Sequence, residues 1–438
     1  MYQAGRIFIG IVLLASIAGV LVTGSVMYTR LALACVLIVI VSWIWTRTSL
    51  AAIRLTRSAR SLKASVGDVL EENFEIANPT FIPKLWLEVA NETLLPSASG
   101  SRLVTLLYGY QRRFYLARTW LIQRGAFALG PTILRAGDPF GLFSAKKEFP
   151  PEKSIIVLPM ILNISEFPSP PGLLPGGKAI RRKSQDITPH AAGVREYVHG
   201  DPIKSIHWVS TARRNRLMVK EFEQDPQAEV WLILDTQAGI HFQIPFEQKA
   251  DWLDGVIFRR KPQFEIPPST LEYGVTLTAS LAHYFILKRR AVGLVSAGQV
   301  FTVISAERSE RQENKILETL AFVSDSGKLS LAEVVGAQSK FLPTGSSVIL
   351  VTPSTQPEVA IAVDDLQRRN LRPMAILLMA DTFGGPRGSE KLAQSLQGNR
   401  TPVCQVSCGD DLSKTLAGFA TQYLTEESRP WQRPSSIP

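Results

Sequence analysis

The sequence predicts an α+β multidomain protein: an N-terminal transmembrane helical hairpin, a small antiparallel β-sandwich, and then a doubly wound α/β domain. Three observations carry this. Two long apolar runs open the chain, short β-rich runs broken by turn residues fill residues 65–158, and buried-strand runs alternate with helical stretches after Gln227. At 438 residues and 45% hydrophobic content the chain can bury more than one core, since single domains usually run about 100–200 residues.

The first apolar run, Ile7 to Tyr28, is uncharged and long enough to cross a hydrocarbon core, which takes about 20 helical residues. Leu31 to Thr46 is a second, shorter run, with Trp43 and Trp45 where interfacial aromatics sit and Arg47 able to snorkel outward. Thr29 and Arg30 are expected to form the connection of a tight hairpin. A cleaved signal peptide fits less well, because the first run is too long for a usual signal core and a second run follows at once. Residues 1–63, the hairpin with its basic flank, hold seven cations and no acid, so most of the formal charge of +10 belongs to a membrane flank rather than to a nucleic-acid surface. Five of those cations lie between Arg47 and Lys63 and only Arg30 lies in the connector. The positive-inside rule therefore places both termini and the soluble domains in the cytoplasm, on the inner face of the cell membrane. Three cysteines, Cys35, Cys404 and Cys408, are too few and too unevenly spaced for a disulfide framework or a zinc site.

Residues 64–158 carry VLEENFEIAN, KLWLEVANET, RLVTLLYGY, RRFYLARTWLIQRG and SIIVLP, separated by turn pairs such as Gly67-Asp68 and Asn78-Pro79. Strands at that spacing predict a sandwich, expected to sit directly on the membrane. DPFGLF, Asp138 to Phe143, reads as a turn followed by apolar anchors. Residues 159–185 are a Pro/Gly-rich linker by composition. Within it Gly172 to Lys178 has the outline of a phosphate-cradling loop, but no strand precedes it, Ala179 replaces the hydroxyl residue, and no helix follows. From 228 to 427, AEVWLILD, VGLVS, SVILVTP, MAILLMAD and VCQVSC read as buried strands between helices such as LEYGVTLTASLAHYFILKRR, the pattern of a parallel sheet covered on both faces. Thr236 to Pro268 is an irregular insertion, and residues 428–438 read as a disordered tail.

Between linker and sheet, residues 186–227 concentrate charged and aromatic side chains in VREYVHGDPIKSIHWVSTARRNRLMVKEFE. Asp201 before Pro202 is a helix start, since the carboxylate can cap free N–H groups and proline is tolerated at the first helical position. Asn215 is a left-handed stop, so the expected unit is strand, Gly200 turn, short helix, strand. Such a unit brings Arg195, Glu196, Asp201, Arg213 and Glu221 near one another. His199 and His207 invite a catalytic reading, but no nucleophile or paired carboxylate accompanies them; His207 is expected to hydrogen-bond within the fold and Trp208 to pack as an anchor. His190, His241 and His283 carry no signal.

The order Arg195-Glu196-Tyr197, Gly200-Asp201, Ile206-His207-Trp208, Ala212-Arg213 and Leu217 to Phe222, with Lys220 and Glu221 inside it, resembles the bacterial domain of unknown function 58 family. Lys204 and Ser205 stand where members commonly carry arginines, and Val209 where a lysine often follows the tryptophan. The layout of hairpin, β domain and α/β domain is similar to that family, which implies a domain like the von Willebrand factor type A domain. The resemblance also implies a MoxR-type AAA+ ATPase as partner, because members are often found beside such ATPases. Domains of the von Willebrand type hold a divalent cation through D-x-S-x-S after the first strand. Here that stretch keeps Asp235 but has Gln237 and Gly239 at the serine positions. Asp381 and Asp410 also fall at strand ends, where open α/β sheets bind ligands.

The expected function is a non-enzymatic, membrane-anchored cytoplasmic scaffold or assembly protein with no cofactor, no catalytic residue and no nucleic-acid partner. Its family motif serves as an internal brace or as a partner surface, through the Arg, Tyr and Trp types that dominate interface hot spots. The alternative is a divalent-cation-dependent adhesion module using a degenerate site at Asp235, and a hydrolase or nuclease reading of the His199 to Arg213 region is weakest.

Overall fold

The computed structural model describes residues 2–168, 191–198, 206–222, 229–248 and 264–427. The chain folds as two compact units, the first made chiefly of residues 1–160 and the second chiefly of the remainder.

The first unit opens with two apolar helices, α1 (Tyr2–Thr23) and α2 (Val26–Ser49), both long and apolar enough to cross a membrane and almost uncovered by protein. The connection is Gly24-Ser25, one turn earlier than the sequence predicts. Gly24 takes a left-handed φ of 60°, which ends α1 at no steric cost, and the Ser25 hydroxyl accepts from Met27 N–H to start α2. Thr29 and Arg30 thus lie inside α2. Small residues let the helices meet: a side chain added at Gly19 would strike the Tyr28 ring, and Ser16, Cys35 and Ser42 are buried.

Ten strands follow: β1 (Arg54–Ala59), β2 (Lys63–Ser65), β3 (Val69–Ala77), β4 (Lys84–Asn91), β5 (Arg102–Leu107), β6 (Arg112–Trp120), β7 (Gly125–Ala128), β8 (Thr132–Gly137), β9 (Ser144–Phe149) and β10 (Ser154–Leu158). They form sheets of order β1-β3-β6, β2-β10-β7 and β5-β4-β8-β9. Alternate residues of β3, Leu70, Glu72, Phe74 and Ile76, are buried, as a strand with one core face requires. Ile76, Leu87, Val89, Leu107 and Leu134 share one core with Leu50 and Ile53, the residues that follow α2. Glu72 is the charged member of the inward row. Arg57 grips its carboxylate at 2.7 and 2.9 Å and also donates to Asn91 and Thr132, so β1, β3, β4 and β8 are tied across two sheets. The sequence pattern places Arg57 in the basic flank, but β1 pairs with β3 along its whole length, and the sheet-rich region begins shortly after α2.

The second unit contains the motif, as β11 (Ala191–Glu196), α3 (Trp208–Arg214) and β12 (Met218–Phe222). Beyond it lies a six-stranded sheet of β13 (Val230–Leu234), β14 (Val292–Ala297), β15 (Phe301–Glu307), β16 (Ser347–Thr352), β17 (Arg372–Leu378) and β18 (Val403–Val406). Its order is β15-β14-β13-β16-β17-β18, parallel throughout except for the antiparallel edge strand β15. The central strands are buried at every residue because helices cover both faces. Helices α4 (Thr270–Leu287), α5 (Glu310–Ala321) and α9 (Leu412–Glu427) belong to one face, and α6 (Leu331–Gln338), α7 (Glu358–Arg368) and α8 (Ser389–Gly398) to the other. Gly274 of α4 seats on Leu234, Val351 and Leu378, whereas Trp231, Ile233, Leu350 and Leu377 meet α6, α7 and α8.

The start of the expected linker is packed rather than free. Phe167 is buried between Phe285 and Phe419, its N–H donates to the Tyr284 hydroxyl, and Leu162 N–H donates to Ser280. The loop-like stretch Gly172 to Lys178 and the tail from Ser428 lie outside the described residues.

Candidate functional site

The motif folds as an antiparallel strand pair with a helix between its strands. In β11 and β12, Arg195 faces Val219 and Glu196 faces Met218, while Val194 and Gly193 face Lys220 and Glu221. Tyr197 N–H donates to the Leu217 carbonyl, and Ile206 bridges to Val219, so Tyr197 and Ile206 are both held at β12 or the residue before it. Gly200, Asp201 and His199 lie outside the described residues, as do the side chains of Arg195, Lys220 and Glu221.

His207, not Asp201, caps the described helix. Its Nδ1 accepts from Ser210 N–H at 3.3 Å and lies 2.7 Å from the Ser210 hydroxyl. That role satisfies an orphan donor of the first turn and fits the hydrogen-bonding expectation for this histidine. Asn215 ends α3 at a left-handed φ of 52°, as its type predicts. The reversal brings Arg216 to Glu196 at 2.9 Å, a pairing that sequence reasoning missed. Thr211 then accepts from Met218 N–H, and Met218 and Val219 form the buried underside.

Trp208 departs from expectation. It is 66% exposed, with Val209 and Leu217 exposed near it in the chain, so it does not anchor the fold from within. Ala212, Arg213 and Arg214 are exposed on the same short helix. The unit therefore presents an indole, aliphatic surface and two guanidinium groups on a helix capped at both ends.

At the C-terminal edge of the large sheet, Asp235 is buried. Thr352 Oγ1 donates to its Oδ2 at 2.6 Å and Gln237 N–H to its Oδ1 at 3.2 Å. Burial pushes the carboxyl up to about 6, against the pull of those two hydrogen bonds. The carboxylate joins the ends of β13 and β16 in its own chain. His241 carries no signal in the sequence, yet it spans this edge: Nε2 lies 3.1 Å from the Asp235 carbonyl and Nδ1 3.1 Å from Thr270 Oγ1 at the start of α4. Its position in an irregular insertion gives no periodicity by which to find it. Thr236 Oγ1 is buried without a hydrogen-bond partner. Asp381 and Asp410 are exposed, and Asp410 accepts from Ser407 N–H in a local turn. Among the described residues no group of three or more His, Cys, Asp or Glu is placed to hold a metal. Burial pushes the Cys404 thiol up to about 12, and Cys408 is raised as well, by burial and then Asp410, which disfavours thiolate ligands.

Comparison with known proteins centres on the motif. Residues 193–255 match the model of the family described as Protein of unknown function DUF58. The uncharacterized protein YeaD of Bacillus subtilis (strain 168) is 23% identical over 204 residues, a match covering 46% of this chain and 43% of that protein. The match thus spans less than half the length of that relative. Both findings support a DUF58-type relationship, and neither carries a reaction. Two crystal structures of the GH20 exo-β-N-acetylglucosaminidase of Vibrio harveyi, one in complex with N-acetylglucosamine and one of an inactive mutant, cover 80% of this chain and 60% of theirs. Identity is 7% and the TM-scores are 0.17 and 0.18, too low to carry an argument about fold or activity.

Proposed function

We propose that the chain is a membrane-anchored cytoplasmic scaffold or assembly protein that acts through protein–protein contacts, without chemistry of its own, and that a MoxR-type AAA+ ATPase is its partner. The observation that carries this reading is the exposure of Trp208 on α3, within the segment that matches the family model. An indole held on a capped helix that also exposes Arg213 is a low-entropy contact surface of the kind that dominates interface energetics. The sheet order, with one antiparallel edge strand beside parallel partners, supports reading the α/β domain as von Willebrand factor type A-like. The two apolar helices support the anchor, and the cation distribution supports a cytoplasmic orientation at the inner membrane.

The test is capture of partners from detergent-solubilised cells with the intact chain as bait, beside Trp208→Ala and Arg213→Ala. The expected outcome is an AAA+ ATPase retained by the intact chain and lost with Trp208→Ala while circular dichroism stays unchanged. Equal retention by both would remove α3 from the contact, and retention of no ATPase by any bait would remove the proposed partner.

The second reading, a divalent-cation-dependent adhesion module, is favoured by one observation: the unpartnered Thr236 hydroxyl beside Asp235 at a strand end. Magnesium-dependent stabilisation that is lost with Asp235→Asn is its test.

A further inference from the structure

The first unit carries exposed aromatic side chains that neither its core nor the proposed partner surface explains, and the strand registers place four of them at one end. β1 starts shortly after α2, and its first residue, Arg54, pairs with Ala77, which in turn pairs with Arg112. That row is the end of the sandwich nearest α2. Beyond it project the turns of residues 78–83 and 106–111. Lys84, next in the chain, donates from Nζ to the Thr48 carbonyl at 2.7 Å, so the first turn abuts the C-terminal end of α2. A third turn, residues 138–143, lies against α1. There Arg6 Nε donates to the Leu142 carbonyl, its guanidinium sits 5.3 Å from the centre of the Phe143 ring, and a side chain added at Gly5 would come within 3.1 Å of the Gly141 oxygen.

Gly5 and Arg6 on α1 and Trp43 and Ile44 on α2 lie at matching distance from the Gly24-Ser25 connection, about 30 Å of helix and so the thickness of a hydrocarbon core. The third turn therefore stands at the level where the apolar helices leave the lipid tails, and the first two, tied to Thr48 about 6–8 Å further along α2, stand within the headgroup layer. Phe81 and Tyr110 are each 75% exposed, and Tyr108 and Phe140 are exposed as well.

The turns are built, not loose. The Asn78 amide, buried, donates to the carbonyls of Ile82, Leu107 and Tyr108, Tyr110 N–H donates to the Thr80 carbonyl, and Gly109 sits so close to Phe81 that an added Cβ would lie 2.6 Å from its oxygen. Leu106 and Tyr110 are held at left-handed φ values of 54° and 58°, which bulky residues avoid unless their surroundings impose it. The one acid in the three turns, Asp138, is buried with its carboxylate accepting from Phe140, Leu142 and Phe143 N–H. Exposed Arg47, Arg54 and Arg113 flank the turns.

We propose that this end of the sandwich is a membrane-docking ledge that seats Phe81, Tyr108, Tyr110 and Phe140 among the headgroups of the bilayer crossed by α1 and α2. Amphipathic and aromatic rings prefer that depth, and arginines beside them suit anionic headgroups. The ledge rests on the reading of α1 and α2 as membrane spans. It fixes the tilt of the sandwich against the membrane plane, which a hairpin joined by one short segment would leave free.

The test uses the full chain in bilayer nanodiscs of phosphatidylethanolamine and phosphatidylglycerol, with Cys408→Ser as background and that background alone as the blank. Nitroxide labels are placed one at a time through Phe81→Cys, Tyr110→Cys, Phe140→Cys, Leu14→Cys and Leu94→Cys. Leu94 is 85% exposed but follows the far end of β4, and Leu14 lies mid-way along α1. The expected result is an oxygen-to-nickel-chelate accessibility ratio at positions 81, 110 and 140 several-fold above that at 94 and below that at 14, as headgroup depth requires. A lipid-like label at 14 with water-like labels at 81, 110 and 140 overturns the ledge and leaves the anchor standing. A water-like label at 14 overturns the anchor, and the ledge with it.

Discussion

Asp235 is a buried carboxyl held by the Thr352 hydroxyl and the Gln237 N–H. Its carboxyl is pushed up to about 6 by burial, so the folded chain holds a proton that the unfolded chain releases near the ordinary aspartate value of about 3.9. Stability from this group is therefore fully present at acid pH below the unfolded value. It is lost as pH rises through the folded value, by roughly 3 kcal/mol in all. Asp235→Asn, which cannot titrate, is expected to remove that component, so that the stability difference between variant and parent changes by about 2 kcal/mol between pH 4 and pH 7 in denaturant titrations. Parallel pH profiles would show that no such proton is held. A cation on the carboxylate reverses the sign: magnesium at pH 7 would then stabilise the parent and leave Asp235→Asn unmoved. The brace made with Thr352 and Gln237 is complete without one.

Among elements, β1 shows how a charged strand becomes structural. Its Arg57 and the Glu72 of β3 form a pair that is almost wholly buried, with the remaining guanidinium donors on Asn91 and Thr132 and the Phe74 ring 5.0 Å away. Removing one partner leaves an uncompensated buried charge, so Arg57→Met is expected to cost about 3–5 kcal/mol in thermal or denaturant unfolding, and Arg57→Met with Glu72→Leu markedly less. A cost of the single variant near that of surface pairs, about 0–1 kcal/mol, would show that the sheets are not joined here. The same strand explains what the sequence can and cannot disclose. The central strands β13, β14, β16 and β17 are legible because burial on both faces makes them continuous apolar runs. The strands β1, β9 and β15 are not, because each has an exposed row, and RLTRSA and SAKKEF fill theirs with polar and cationic side chains. In the motif, Asn215 is legible as a left-handed stop from its type alone. The His207 cap and the Glu196–Arg216 pair are not, since both depend on where the chain reverses in three dimensions. The hairpin connection is misplaced by sequence reasoning for a related reason: Arg30 is the stronger mark in the sequence, but the conformational freedom of Gly24 decides where α1 ends.

At the scale of the whole molecule, orientation depends on which cations are free to respond to the membrane. Arg57 is paired with Glu72, Arg60 with Glu71 at 3.9 Å and Lys63 with Glu318, which leaves Arg47 in the last turn of α2 and Arg54 just past it outside those pairs, against Arg30 alone near the Gly24-Ser25 connection. The bias still favours a cytoplasmic sandwich, because cations within about 15–20 residues of a span end set its direction. Since β1 follows α2 directly and carries the exposed Ser58, the side of the membrane on which Ser58 lies is the side on which the sandwich lies. With Cys408→Ser as background, Ser58→Cys is expected to resist a membrane-impermeant maleimide in intact cells and to react once the membrane is permeabilised. Ser25→Cys, at the connection, is expected to react in intact cells. Ready labelling at position 58 before permeabilisation would invert the topology. It would place the Trp208 surface outside the cytoplasm, where an ATP-driven partner could not meet it, so the orientation of the anchor and the identity of the partner stand or fall on the same label.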